Sequence, residues 1–173
     1  TVSRLNIRGD AQADRHNHGG LDKAVLAYAA VHYALWREEL LLPKLVGGGF
    51  GENLTISGIA EDDVCIGDTW SAADVLFQVS QPRQPCWKLA RRWRMPELPK
   101  RVVVSGRTGW YLRVLQEGTL TPGDPIELVE RPQPDWTIPR ANNAFYGRHE
   151  DERRALAALP ELSGAWQRDL LDG

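Results

Sequence analysis

Residues 75–80 alternate strictly, with Val75, Phe77 and Val79 on one face and Leu76, Gln78 and Ser80 on the other. That period of two marks a strand with one buried face. The strand must end soon after, because Pro82 and Pro85 fix φ and withhold amide donors. The chain then runs Ser80-Gln81-Pro82-Arg83-Gln84-Pro85-Cys86-Trp87-Lys88-Leu89, a stiff turn that holds one cysteine in a defined place. Arg83 and Lys88 are close by in sequence. Positive neighbours favour the thiolate, which is the form that acts as a nucleophile or ligates a soft metal. Cys86 is the first candidate functional residue.

Short strands separated by glycine turns recur along the chain. They are expected at residues 23–28, 54–57, 68–72, 110–115 and Ile126–Glu130, with Gly67-Asp68, Gly118 and Gly123-Asp124 at turns. Residues 30–42 have helical periodicity, with Tyr33, Trp36 and Leu40 on one stripe, and Pro43 stops them. Residues 87–94 read as a short cationic helix. Residues 97–105 are ambiguous: three consecutive valines favour a strand, while the context allows a helix. This pattern predicts a mainly β, α+β fold, a β-barrel with decorating helices. Arg131-Pro132-Gln133-Pro134-Asp135 marks a boundary. The expected organisation is a barrel domain over residues 1–137 and a short helical segment over 138–173. That segment holds helices at 150–159 and 163–171, the second capped by Ser163.

At 173 residues the chain is long enough for one domain with a genuine core. A net charge of −2 argues against a nucleic-acid surface covering the domain, yet allows a local basic pocket for a phosphate. The two cysteines, Cys65 and Cys86, fit a reducing compartment better than a disulfide framework. No apolar run approaches a membrane span and the start is not a signal peptide, so a cytoplasmic protein without a membrane partner is expected. The chain opens on Thr1 in what reads as mid-domain sequence, which suggests that residues before it are missing. Cys65 lies among Asp62, Asp63 and Ile66 and reads as inert core.

Other residues offer chemistry more weakly. His16 and His18 precede Gly19-Gly20 and Lys23, and glycine amides with a histidine and a lysine could hold a phosphate. A zinc site there would lack its second ligand pair. Asn53, in Phe50-Gly51-Glu52-Asn53-Leu54, follows a glycine that lets backbone approach a ligand. Arg107 sits in a turn beside Ser105 and Thr108. His32 reads as packed or solvated, and residues 148–154 as a solvated charged face.

Taken together, these segments resemble a known family. DRHNHGGLDKAVLAY from Asp14, FGENL from Phe50, Gly67-Asp68, VSQPRQPCWKL from Val79, GRTGWYLRVL from Gly106 and ELVER from Glu127 occur in the order seen in MOSC-domain proteins. The likeness is strongest to their bacterial YiiM-type branch, associated with resistance to N-hydroxylated base analogues, and it spans roughly residues 3 to 137. FGENL together with SQPRxPC is specific to the family.

The resemblance implies a MOSC-type β-barrel that binds the molybdenum cofactor, molybdopterin: a pterin dithiolene carrying the metal and a terminal phosphate. Cys86 matches the family's motif cysteine, read as metal ligand or as a sulfur-carrying thiol. His18, Lys23, Arg83 and Arg107 could neutralise the cofactor's negative charge, and Asn53, Ser80 and Gln81 could bond the pterin edge or oxo groups. The leading expectation is a reductase of N-hydroxylated compounds such as hydroxylaminopurines. Its electrons would come from a separate flavin or iron–sulfur partner, because the chain has no dinucleotide fingerprint or cysteine cluster. The alternatives are a cofactor carrier or sulfur-transfer module, and a cysteine hydrolase pairing Cys86 with His18 or His32. Strand-forming sequence usual before residues 4–10 is absent, so pairing between subunits of a homodimer is allowed.

Overall fold

In the computed structural model, which describes residues 1–7 and 20–172, the alternating strand forms as β4 (Val75–Pro82) and lies inside a six-stranded sheet. Its companions are β1 (Val25–Ala29), β2 (Leu54–Ile56), β3 (Thr69–Ala72), β5 (Trp110–Gln116) and β6 (Ile126–Glu130). The order across the sheet is β2-β1-β5-β4-β3-β6. Only β1 and β2 run parallel; every other pairing is antiparallel. The sheet curls into a half-barrel decorated by helices, as the spacing of strands and turns predicts.

Among the described residues six α-helices surround it: α1 (His32–Glu39), α2 (Trp87–Trp93), α3 (Leu98–Ser105), α4 (Ile138–Tyr146), α5 (Glu150–Ala157) and α6 (Gly164–Asp172). They divide between two cores. The alternating apolar residues Val75, Phe77 and Val79 of β4 join Val25, Ala27, Trp110 and Leu112 in the larger one, where Ile138, Leu156 and Trp166 of the C-terminal helices cover them. On the other side, Tyr28 from β1 packs with Tyr33, Trp36, Phe50, Leu89, Leu98 and Val102, which seats α1, α2 and α3. All five residues of β1 are buried, Val25, Ala27 and Ala29 in the larger core and Tyr28 in the smaller. Gly109, with φ +74°, lets β5 start this close to β1: a Cβ there would lie 2.5 Å from the Ala27 carbonyl oxygen.

The structure decides one reading that the pattern left open and adds one helix that it did not foretell. The valines at 102–104 are helical, in α3. Pro99 sits in the first turn, Gly106 closes the helix in the left-handed conformation, and burial of Leu98 and Val102 overrides the β preference of valine. Helix α4 has no counterpart among the expected elements. Thr137 caps it by accepting from the Arg140 amide at 3.4 Å, and Pro139 occupies its first turn, the position where a missing N–H costs nothing.

The proline-rich segment before α4 is stitched to the sheet. Ile66 N donates to Trp136 O at 2.8 Å and Ile138 N to Val64 O at 2.9 Å. Asp68, fully buried, accepts from Arg131 Nε at 2.8 Å, from Arg131 Nη2 at 2.7 Å and from Cys65 N at 2.9 Å. Removing one partner of such a pair strands the other charge in a poor solvent. We therefore expect Arg131→Leu to lower the unfolding free energy by about 3 kcal/mol, with Asp68→Asn in the same chain recovering part of the loss. Urea unfolding of the three proteins checks this, and an unchanged midpoint for Arg131→Leu would refute it.

Candidate functional site

The proline turn begins inside β4 rather than after it. Between Val79 and Gln81 the register with β5 shifts: Val79 faces Leu112 and Gln81 faces Tyr111, so Ser80 is an extra residue. A bulge of this kind bends the strand and re-aims the residues beyond it. Ser80 Oγ supplies the hydrogen bonds of the irregular stretch, donating to the carbonyls of Asp22 and, at 3.2 Å, Tyr111. Gln81 is buried too. Its Oε1 accepts from Ser163 Oγ at 2.7 Å, and Ser163 Oγ also accepts from Trp166 N at the start of α6. The side chains of Ser80 and Gln81 thus brace the turn from within the protein.

Past the bulge, Arg83 N donates to Gly109 O at 3.0 Å, and Arg83 Nη2 donates to Phe50 O at 2.9 Å. One residue therefore fastens the proline turn both to the mouth of β5 and to the FGENL loop. Arg83 is 5% exposed, and its Nη1 has no hydrogen-bond partner among the described residues. A guanidinium stays charged in a protein, and burying one with donors unsatisfied is costly. A ligand oxygen or another anionic group is what such a donor lacks.

Cys86 is free and half-buried. It directly precedes α2 with extended backbone, φ −107° and ψ 168°. Tyr111 joins the two. Burial pushes its phenol above the ordinary value, the Arg83 charge opposes the rise, and Cys86 adds to it, so Arg83 and Cys86 each lie within electrostatic reach of that phenol. Lys23, in a single helical turn (Leu21–Lys23), holds its ammonium 6.0 Å from the centre of the Tyr111 ring. Lys23, Arg83, Cys86 and Tyr111 form the centre of the candidate site.

Asn53 lies one strand away. Its Oδ1 accepts from Leu26 N at 2.6 Å and its own amide donates to Leu26 O at 2.9 Å, while Leu26 pairs with Tyr111 and Tyr111 with Gln81. Asn53, Tyr111 and Gln81 therefore occupy one row across the sheet. Glu52, which the sequence shows only as a letter of the motif, shapes this loop. Its buried carboxylate accepts from Gly48 N at 2.8 Å, Phe50 N at 3.1 Å, Thr55 Oγ1 at 2.9 Å and the Tyr33 phenol. Burial, with the bond to Glu52, pushes the Tyr33 phenol above its ordinary value. Phe50 in turn stacks on Tyr28 with ring centres 4.7 Å apart.

Other candidates lie elsewhere. Arg107 donates to Glu39 Oε1 at 2.7 Å and stands 4.8 Å from the centre of the Trp36 ring, so its side chain is engaged by α1. His18 lies outside the described residues, as does His16. His32 is buried against Glu61, Nε2 to Oε2 at 2.5 Å, and Glu61 Oε1 accepts from Gly109 N at 2.8 Å. Tyr111 was findable in the sequence: Trp110, Leu112 and Val114 claim the core face, which leaves the phenol opposite. Glu52 was not, because its partners Tyr33 and Thr55 are gathered only by folding. Cys65 is 1% exposed, and burial together with Asp68 pushes its thiol up. We expect iodoacetamide at neutral pH to alkylate Cys86 much faster than Cys65, read by peptide mass spectrometry. Equal rates would contradict the contrast drawn between the two sulfurs.

Comparison with known proteins places this geometry. The MOSC domain model matches residues 14–127. An uncharacterised protein of Bacillus subtilis, YflK, is 48% identical over 166 residues, covering 95% of this chain and 75% of its own length. The protein YiiM of Escherichia coli is 33% identical over 175 residues, covering 98% of this chain and 77% of its own. A Gibberella moniliformis protein named a reductase is 42% identical over 139 residues; the match covers 79% of this chain but 25% of that longer one. Among solved structures, YiiM from Geobacillus stearothermophilus superposes with a TM-score of 0.86 at 42% identity, covering 88% of this chain and 79% of its own. YiiM from Escherichia coli gives 0.88 at 30%, covering 99% and 82%. Sheet, motif turn and sequence agree, and the chain belongs to the MOSC-domain family as a protein of YiiM type.

Proposed function

We propose that this protein binds the molybdenum cofactor and reduces N-hydroxylated compounds such as hydroxylaminopurines, with Cys86 as the protein's ligand to the metal. The observation that carries the reading is the buried Arg83 guanidinium. Its Nη1 lacks a partner among the described residues, and the Tyr111 phenol feels both its charge and a free, half-buried thiol. The residues fit the cofactor's chemistry: an anionic pterin dithiolene and phosphate call for fixed positive charge, and a soft metal calls for a thiolate. Among the described residues no group of three His, Cys, Asp or Glu side chains could hold a bare metal ion. A relative named a reductase and a fold shared with YiiM proteins support the same reading.

When bound, the cofactor supplies the two-electron chemistry of N–O cleavage, R–NHOH + 2e⁻ + 2H⁺ → R–NH₂ + H₂O. The chain's own residues prepare the place for it. Arg83 holds the FGENL loop against the proline turn through Phe50 and directs its remaining donors to an anion. Cys86 presents sulfur from a backbone stiffened by Pro82 and Pro85. Lys23 adds a second positive charge beside Tyr111, and Asn53 fixes the loop's register on β1. Tyr111 keeps its proton well above neutral pH, so it can donate a hydrogen bond across the working range. We assign electron delivery to a separate flavin or iron–sulfur partner, since the two cysteines of these 173 residues are too few to ligate a cluster.

The test uses protein produced in a molybdenum-replete host. Mass spectrometry is expected to find a bound pterin, and dithionite-driven reduction of a hydroxylaminopurine to be abolished by Cys86→Ser and largely retained by Cys65→Ser. Equal damage from the two substitutions would contradict the assignment. Bound cofactor without turnover in the unsubstituted protein would favour the cofactor-carrier reading instead.

A further inference from the structure

The turn that carries Cys86 runs into the most positively charged stretch of the chain. Between residues 87 and 101 lie Lys88, Arg91, Arg92, Arg94, Lys100 and Arg101, with Glu97 as the one acid. The whole chain nonetheless has a net charge of −2, so the rest of it is acidic. Folding keeps these cations together. Leu89 of α2 and Leu98 and Val102 of α3 turn into the smaller core, which leaves Arg91, Arg92, Arg94, Lys100 and Arg101 exposed on the outer side of the helix pair. On α2, Lys88, Arg91 and Arg92 share one face at spacings of three and four, an arrangement in which like charges repel.

Among the described residues, few contacts offset the charges of Arg91, Arg92, Arg94, Lys100 and Arg101. Arg101 reaches Glu39 at 3.6 Å, whereas Arg91 and Arg92 lean over the rings of Trp87 and Trp93, 5.9 and 5.8 Å from the ring centres. Among the described residues no carboxylate pairs with Arg91, Arg92, Arg94 or Lys100. Trp87, the residue after Cys86, is 61% exposed at the edge of this surface. At a rise of 1.5 Å per residue, Arg91 is only about 8 Å along the chain direction from Cys86. An exposed aromatic ringed by arginines is the composition of a protein-binding patch.

We propose that the outer face of α2 and α3 is the docking surface for an acidic flavoprotein electron donor. This rests on the reductase reading, which requires electrons to arrive near Cys86 from another protein. A flavin suits the need because it carries both electrons and both protons: FMNH₂ + R–NHOH → FMN + R–NH₂ + H₂O. Charge complementarity selects an acidic partner and gives it a fast, salt-sensitive encounter. A nucleic acid suits the surface less well, because the cationic stretch is short and the remainder of the chain would repel a long polyanion.

The experiment measures binding first, with the full-length cofactor-free chain and a purified flavodoxin, an acidic FMN protein, as probe. Binding is expected at about 20 mM salt, falling roughly tenfold or more by about 200 mM as screening shortens the reach of the charges. The triple variant Arg91→Glu, Arg92→Glu, Arg94→Glu should lose binding, while Arg91→Lys, Arg92→Lys, Arg94→Lys should keep it, both with unchanged circular dichroism. Failure of the unsubstituted chain to bind flavodoxin would overturn the proposal. So would equal binding by the Glu variant, or tighter binding of a ferredoxin or of single-stranded DNA. In cofactor-loaded protein the Glu variant should lose flavodoxin-driven turnover and keep dithionite-driven turnover. Absence of dithionite-driven turnover in the unsubstituted protein would instead overturn the reductase reading, and the binding result would still decide the docking.

Discussion

A buried guanidinium with too few partners among the described residues sits at the junction on which the candidate site depends. Arg83 joins three pieces of backbone distant in sequence: its own proline turn, Gly109 at the mouth of β5 and Phe50 in the FGENL loop. Each is shaped by something else. Glu52 gathers the loop's amides, Gly109 permits the close approach of β5 to β1, and the Ser80 bulge turns the end of β4 toward the thiol-bearing segment. Burying a charge with no counterion among the described residues is unfavourable, so the structure holds a donor in place at some cost to stability. That arrangement makes sense in a site whose occupant brings negative charge with it.

The C-terminal helices support the same region from the opposite side. Ser163 reaches Gln81, and Gly164 N donates to Asp22 Oδ2 at 3.2 Å, so the start of α6 is tied both to the proline turn and to the turn that carries Lys23. Asn142 Nδ2 of α4 donates to Thr108 Oγ1 at 3.2 Å, beside Gly109. These helices also close the larger core over the sheet. Rigid side chains around a binding residue reduce the ordering still required when a ligand arrives.

Much of this was legible before folding, and the exceptions have definite causes. The alternation in β4, the proline stop and the contrast between Cys65 and Cys86 are local signals, and local signals survive in sequence. The valines at 102–104 left strand and helix both open because their helical state depends on Leu98 and Val102 finding a shared core. Helix α4 escaped notice because the prolines before it look like a linker, whereas their neighbours Trp136 and Ile138 hydrogen-bond to residues 64–66. Arg107 reads like Arg83 in sequence, an arginine in a turn rich in helix and strand breakers. Only the fold sends one to Glu39 and Trp36 while leaving the other with an empty donor. Tyr111 could have been inferred from strand periodicity; Glu52 required three-dimensional partners.

Arg83, on this reading, spends one donor on the fold and keeps another for a ligand. The direct measurement compares Arg83→Met with the unsubstituted chain twice, once for thermal stability without cofactor and once for equilibrium binding of isolated molybdopterin cofactor. Replacing Arg83 by an apolar side chain gives up the bond to Phe50 O but also removes the cost of burying the charge, so the melting temperature should change little, while binding weakens about tenfold or more. A large loss of stability with cofactor affinity intact would show that the guanidinium serves the scaffold, and would contradict the claim.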